Sequence, residues 1–323
     1  MRPLQGALST VFLLALLAGC TREPPLQERT RILLGTVVTV KAYATGGQDV
    51  HAVIDAALNE MSRIDSLCGY LRSSEVSGIN RNSGQMVRVS REVADILSKS
   101  ITYSELSGGA VDVTVDPVVR VWNRFEGREL EVPSDASIDS ARSLVDYRAL
   151  VLTDTTAMLS TRGGSIDLGA LAKGYAVDRG VAVLGSLGAS GGLVNAGGDI
   201  RALGTKPDGR AWRIGLKDPR MPDSILTVFE LEGKAVATSG DYERYFVKDR
   251  VRYHHILDPH TGFPARGCCS VTVIADETCD ADAIATAVFV LGPDKGLELV
   301  ESLPGTEALI MVCEDGASRK AIR

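Results

Sequence analysis

Residues 166–201 read IDLGALAKGYAVDRGVAVLGSLGASGGLVNAGGDIR. The span 171–187 reads as a helix, and 194–201 turns to β-branched and apolar residues that read as a strand, with Gly197-Gly198 as a weak hairpin-turn signal. Working outward, 31–43 looks like the first strand, with Gly35 near its start. Apolar residues at Val53, Ile54, Ala57, Leu58, Met61 and Ile64 recur at spacings of three and four and predict a helix over 51–67. A second helix is predicted over 91–107, stopped by Gly108-Gly109, and a short one over 137–145. The span 149–165 reads as a hairpin; 212–217, 226–231, 234–239 and 270–275 read as strands, and 280–290 as a helix. No internal repeat or low-complexity tract is present. Strands and helices interleave irregularly, which predicts an α+β domain of mixed sheets with packed helices and not a regular βαβ array.

Composition bounds the function. The 323 residues carry 35 Lys and Arg against 41 Asp and Glu, a net charge of −6, which argues against a nucleic-acid surface. At 45% hydrophobic and 24% charged, the chain has the makeup of a globular domain with a sizeable core. The N-terminus is different: one Arg, an apolar run from Val11 to Leu17, then Leu17-Ala18-Gly19-Cys20. That run is too short to span a bilayer but has the layout of a secretory signal. Its ending resembles the lipobox of bacterial lipoproteins, so 1–19 reads as a signal peptide and Cys20 as the lipidated first residue. Residues 20–30, with two prolines, read as a tether, and 31–323 as the folded domain, anchored to a bacterial membrane and facing the periplasm.

Several polar, glycine-rich segments exceed what core packing needs. Asp282 and Thr286, four apart on a helix, share a face and suit a cation with oxygen ligands. On spacing alone a first-turn Asp complementing the helix dipole, with a Thr bonding back to the previous turn, is the better account. Asp167 is followed by Gly169 and Ala170, whose small side chains let backbone carbonyls approach a ligand. Lys173 is placed to meet a phosphate or, like most helical lysines, to be solvated. His254, His255 and His260 invite a metal reading, but adjacent residues on an extended segment face opposite ways and no closing ligand is evident; a single general base fits better. No GxSxG elbow occurs, and Cys268-Cys269 lacks an activating helix start.

Taken in order, Asp167-Leu168-Gly169 with Ala172-Lys173-Gly174-Tyr175-Ala176, the 194–199 segment, Ala237-Thr238-Ser239-Gly240-Asp241-Tyr242 and the 255–262 segment resemble the ApbE family of FAD:protein FMN transferases. The resemblance implies a T-fold-like α+β core and an exported enzyme that binds FAD as substrate. It would use Mg²⁺ to move FMN onto a threonine hydroxyl of a membrane or exported flavoprotein, releasing AMP. It assigns metal ligation to the Ala170 carbonyl, Asp282 and Thr286, reversing the reading from spacing. FAD contacts are implied at Leu34, Tyr70, Ala110, Val111, Asp112, Asp167, Lys173 and Leu257, with Tyr70 stacking on a ring and Asp112 bonding the adenine part. His255 is implied as the base.

The chain departs from the family at Leu34 (often Met), at Cys68-Gly69 (a Ser-Thr pair), at His254 (usually Ser) and at Ala285, where some members carry a second metal-binding Asp. No Asp/Ser-Gly-Ala-Thr acceptor segment occurs, so the chain is expected to modify another protein. Two alternatives share the site: an FAD pyrophosphatase, against which Tyr70 weighs, and a non-catalytic flavin-binding lipoprotein, against which Asp282 and Thr286 weigh.

Overall fold

The computed structural model describes residues 25–43, 47, 49–69, 73–122, 131–221, 223–314 and 317–322. Cys20 and Tyr70 lie outside the described residues. The chain opens with β1 (Gln27–Leu33) and β2 (Thr36–Tyr43), then α1 (Val50–Cys68), α2 (Glu75–Arg81), β3 (Val87–Arg88) and α3 (Arg91–Leu106). Helices α4 (Asp116–Trp122) and α5 (Asp135–Arg142) precede β4 (Leu150–Leu152), β5 (Thr156–Leu159) and α6 (Ala172–Ser186). Next come β6 (Gly191–Ala196), β7 (Asp199–Leu203), β8 (Trp212–Lys217), β9 (Ile225–Leu231) and β10 (Ala235–Gly240). The remainder is β11 (Tyr245–Lys248), β12 (Val251–His254), β13 (Ser270–Ala275), α7 (Thr278–Leu291), α8 (Pro293–Glu301), β14 (Glu307–Glu314) and β15 (Ala317–Ile322).

The main sheet has eight strands in the order β1-β2-β6-β7-β10-β13-β14-β15, with antiparallel neighbours. Helix α1 buries Val53, Ile54, Ala57, Leu58, Met61, Ile64 and Cys68, the stripe its spacing predicts, and Asp49 caps it through the N–H groups of His51 and Ala52. That stripe, the buried face of α6 and the inner residues of β2 and β6 form one core; α7, β10, β13 and β14 form a second. A satellite cluster of Val118, Trp122, Ile138, Ala141, Phe246 and Leu257 ties α4 and α5 to the β11–β12 hairpin.

Two predicted single strands are hairpins. The 31–43 strand is β1 and β2 folded about Leu34-Gly35, with φ of 54° and 69°, and Gln27 to Thr30, read as tether, belong to β1. The 194–201 strand is split by Gly197-Gly198, with φ of 61° and 104°, into β6 and β7. The two turns abut, since Gly197 donates to the Val37 carbonyl at 3.1 Å and a Cβ on Gly197 would lie 2.4 Å from Thr36 Oγ1. Only glycine fits that joint. Cys269 is disulfide-bonded, whereas Cys68, Cys268 and Cys279 are free and buried.

Candidate active site

Helices α6 and α7 cross at backbone contact. A Cβ on Gly174 would lie 2.5 Å from the Thr278 carbonyl oxygen and 2.8 Å from the Cys279 Cα, so the crossing demands glycine. Neither helix receives a side-chain cap from its own N-cap residue, Leu171 or Glu277. Each is capped by the other. Asp178 of α6 accepts from the Thr278 and Cys279 N–H groups at 2.8 and 2.9 Å, and Asp282 of α7 accepts from the Gly174 N–H at 3.2 Å. Orphan helical N–H groups thereby find carboxylates that complement the helix dipoles. The expectation that Asp282 serves the first turn of its own helix is corrected: α7 starts at Thr278, its first-turn acid is Asp280, and Asp282 turns to α6.

Charge gathers on this seam. Lys173 Nζ lies 3.5 Å from Asp282 Oδ2 and forms an ion pair with Asp199, which follows the Gly197-Gly198 turn and is 1% exposed. Lys173 is therefore paired and not merely solvated. Burial pushes the Asp282 carboxyl up, while the Lys173 charge and the Gly174 N–H act in the opposite sense. One turn on, Thr286 Oγ1 lies 3.3 Å from Ser239 Oγ of β10, the place a back-bonded threonine would not take. Ala170 sits in the turn that opens α6, half-buried against the core. A carboxylate, hydroxyls and a backbone carbonyl are hard oxygen donors, and two carboxylates, Asp199 and Asp282, against the single Lys173 cation leave negative charge for a metal to balance. No group of three or more His, Cys, Asp or Glu side chains suited to a metal occurs among the described residues.

A cavity of about 530 Å³ opens at the turn leading into α6, lined among others by Gly69, Asn80, Arg81, Arg120, Asp167 and Leu168. Asp167 Oδ1 accepts from the Gly169 N–H at 2.7 Å, fixing the turn before α6, and burial pushes its carboxyl up. On the far side, the Arg244 carbonyl accepts from the His255 N–H at 3.1 Å, and Arg244 Nη2 reaches the Gly35 carbonyl at 3.5 Å. Leu34 holds its left-handed conformation with its N–H bonded to Asp65 Oδ2 at 3.0 Å. Such a conformation in a non-glycine residue is costly and must be held by its surroundings.

The adjacent histidines divide as their extended segment predicts. His254 is buried, bonds the Ala265 carbonyl through Nε2 at 2.9 Å and packs edge-on against Phe289, leaving Nδ1 without a partner. His255 keeps an accessible ring, yet the protein mass around it desolvates the imidazolium and, with the charges of His254, Arg244 and Lys173, pulls its pKa down to about 4. His260 is exposed and pairs with Asp258 at 3.2 Å, so the three do not close on a metal.

The structure thus gathers Ala170, Lys173, Asp282 and Thr286 on the seam, puts Asp167 in the cavity, and links Leu34 to His255 through Arg244. Other expected ligand contacts are engaged elsewhere. Asp112 accepts from the Thr114 N–H and hydroxyl at 2.7 and 2.6 Å and from the Tyr147 N–H at 2.9 Å, so its carboxylate pins the 110–116 loop. Ala110 and Val111 are 2% exposed, and the Leu257 side chain is part of the satellite cluster. Asp178, Asp199, Ser239 and Arg244 went unassigned although three of them stand in the quoted motifs.

The ApbE family model matches residues 34–310. An FAD:protein FMN transferase of Vibrio cholerae is 32% identical over 311 residues, covering 94% of this chain and 92% of that protein. One of Treponema pallidum is 33% identical, covering 93% and 89%. Among solved structures, an ApbE protein of Thermotoga maritima superposes with a TM-score of 0.84 at 38% identity, covering 92% of this chain and 97% of the other. The flavinyl transferase ApbE of Pseudomonas stutzeri gives 0.84 at 32%, covering 94% and 96%.

Proposed function

The chain belongs to the ApbE family, and from that premise we propose that it transfers the FMN moiety of FAD to a threonine hydroxyl of a target flavoprotein, releasing AMP. The observation that carries this reading is the seam, where Lys173, Asp199 and Asp282 meet one helical turn from Thr286 and Ser239; the turn leading into α6 lines a cavity through Asp167 and Leu168. On this reading Leu34, Tyr70, the 110–112 stretch, Asp167, Lys173 and Leu257 hold FAD, with Ala110, Val111 and Leu257 contributing through their backbones. The Ala170 carbonyl, Asp282 and Thr286 hold Mg²⁺, which when bound neutralises charge on the pyrophosphate oxygens.

In the transfer, the threonine oxygen forms a bond to the FMN phosphorus while the P–O bond to AMP breaks, and AMP leaves with the bridging oxygen. The hydroxyl proton goes to His255, which is neutral and able to accept it at neutral pH. Lys173 keeps a cation beside the place where charge develops. Anchoring through Cys20 and a periplasmic location are part of the same reading. The disulfide at Cys269 supports an oxidising compartment, and no helix among the described residues is long and apolar enough to cross a membrane.

The test is to incubate the full-length protein with FAD, Mg²⁺ and a peptide carrying one Asp-Gly-Ala-Thr segment, then weigh the peptide and assay AMP. A peptide heavier by FMN less water, with one AMP released per event, is the expected result. Free FMN plus AMP on an unchanged peptide would make the protein a pyrophosphatase, and bound but intact FAD a carrier.

A further inference from the structure

The molecule has two contrasting strand edges. The β1 edge of the main sheet is guarded by charge: Glu28 pairs with Lys41, and Arg29 and Arg31 pair with Asp55. Edges protected this way resist pairing with another chain. The edge of β11 is different. In the β11–β12 ladder Tyr245 faces His254 and Val247 faces Arg252, and the N–H and C=O groups of Tyr245 and Val247 have no backbone partner among the described residues. Their side chains are 48% and 59% exposed.

Other features mark this edge as built. Arg252 stacks over the Tyr245 ring at 4.0 Å and is held by Asp241 at 3.0 Å, so the apolar face is braced from behind. The hairpin turn is Asp249-Arg250, with φ of 51° and 65°, where Asn-Gly would be relaxed. The strained pair keeps charged side chains at the tip, where Lys248 and Arg250 outnumber Asp249 on a chain of net charge −6. The ladder also continues one rung to the reacting group, through the His255 N–H to the Arg244 carbonyl. A strand laid on β11 takes its register from this ladder and lies one strand beyond His255.

We propose that the polypeptide carrying the acceptor hydroxyl docks as an added strand on the β11 edge. This rests on the transfer reading above. Main-chain hydrogen bonds to Tyr245 and Val247 supply affinity, apolar side chains of the acceptor lie on those two residues, and acidic ones meet Lys248 and Arg250. Recognition through the main chain accepts many sequences around one hydroxyl, and the basic tip selects acidic flanks.

The experiment uses full-length protein and a fluorescent peptide with one Asp-Gly-Ala-Thr segment flanked by alternating Val and Glu, followed by anisotropy. Val247→Pro removes an outward N–H at a position outside the hairpin's own hydrogen-bonded pairs, and Arg250→Glu reverses a tip charge without touching the ladder. Each is expected to weaken peptide binding about tenfold while leaving FAD affinity within twofold, and a peptide N-methylated across the segment is expected to bind equally poorly to wild type. Wild-type protein that ignores the peptide, or an Arg250→Glu variant and a methylated peptide that bind like wild type, would overturn the docking. A peptide that binds in this pattern but gains no FMN mass with FAD and Mg²⁺ leaves docking standing and removes the transfer reading.

Discussion

The α6–α7 seam and the β11–β12 hairpin, which runs into His255, are built on opposite terms. On the seam polar groups answer one another across a backbone-to-backbone crossing: Asp178 caps α7, Asp282 caps α6, and Lys173 lies between Asp282 and Asp199. The hairpin holds itself with one two-strand ladder and a satellite cluster, and leaves an edge, a tip and the His255 ring open. On the proposed reading, ligand chemistry which must not move is placed where two helices fix each other, and chemistry that must meet a second macromolecule is placed on an element with an unused face.

If that division is right, the seam should be intolerant and the hairpin forgiving. The largest effect is expected for Asp282→Ala, which should cut single-turnover FMN transfer about 10³-fold in limiting Mg²⁺; transfer at the wild-type rate would break the comparison at its root. Gly174→Ala should cost roughly 3 kcal/mol in urea unfolding, because the added methyl meets the Thr278 carbonyl and cannot be absorbed by a side-chain rotation. At the hairpin end, His255→Asn should slow transfer about 10²-fold with FAD affinity nearly unchanged. With the His255 pKa near 4, wild-type kcat/KM should stay flat down to about pH 5 and fall only below it. An acid limb at 6.5 would mean that the cleft does not desolvate the ring.

His254, on the buried side, gives a smaller effect read in stability. Its pKa is lowered from 6.5 to about 4 by burial, so the folded state refuses a proton that the unfolded chain takes up. Its contribution is intact above 6.5 and is lost as pH falls toward 4. Between pH 7 and 5 wild type should therefore lose about 2 kcal/mol relative to His254→Ser, compared at each pH by urea unfolding. The smallest expected effect is at the tip: the double change Asp249→Asn with Arg250→Gly should stabilise by about 1 kcal/mol, as the strained turn relaxes. A loss of stability there would show the tip to be held by its surroundings as firmly as the seam.

What the sequence discloses follows the same division. Helices α1 and α3 were legible because three or four turns of periodic apolar residues leave no other solution. Of the two hairpins, the one at Gly197-Gly198 carried a turn signal in its glycine pair, whereas the other has its turn inside an apolar run. Leu34-Gly35 carries only one glycine, and its left-handed leucine is held by Asp65, a tertiary partner that no local pattern announces. The seven-residue helices α2 and α4 and the four-residue strands β11 and β12 are too short for a period to register. In the site, helical spacing put Asp282 and Thr286 on one face, but spacing cannot say which neighbour that face meets. The reciprocal caps exist only once α6 and α7 cross, which is why Asp178 drew no assignment, and Asp199 meets Lys173 only once β7 lies against α6. Asp112 differs: the family resemblance alone implied it as a ligand contact, and in the fold its oxygens accept from Thr114 and Tyr147.

The pairing of β2 with β6 sets Val38 against Ala196, and the turn at Leu34-Gly35 can meet the turn at Gly197-Gly198 only after that long loop has closed. Loop closure costs entropy before any contact repays it, so this joint belongs to the late stage of folding. The seam waits later still, since Asp282 lies in a helix beyond β13. A nucleotide that needs the joint and the seam together would therefore bind the native state and add its free energy to it.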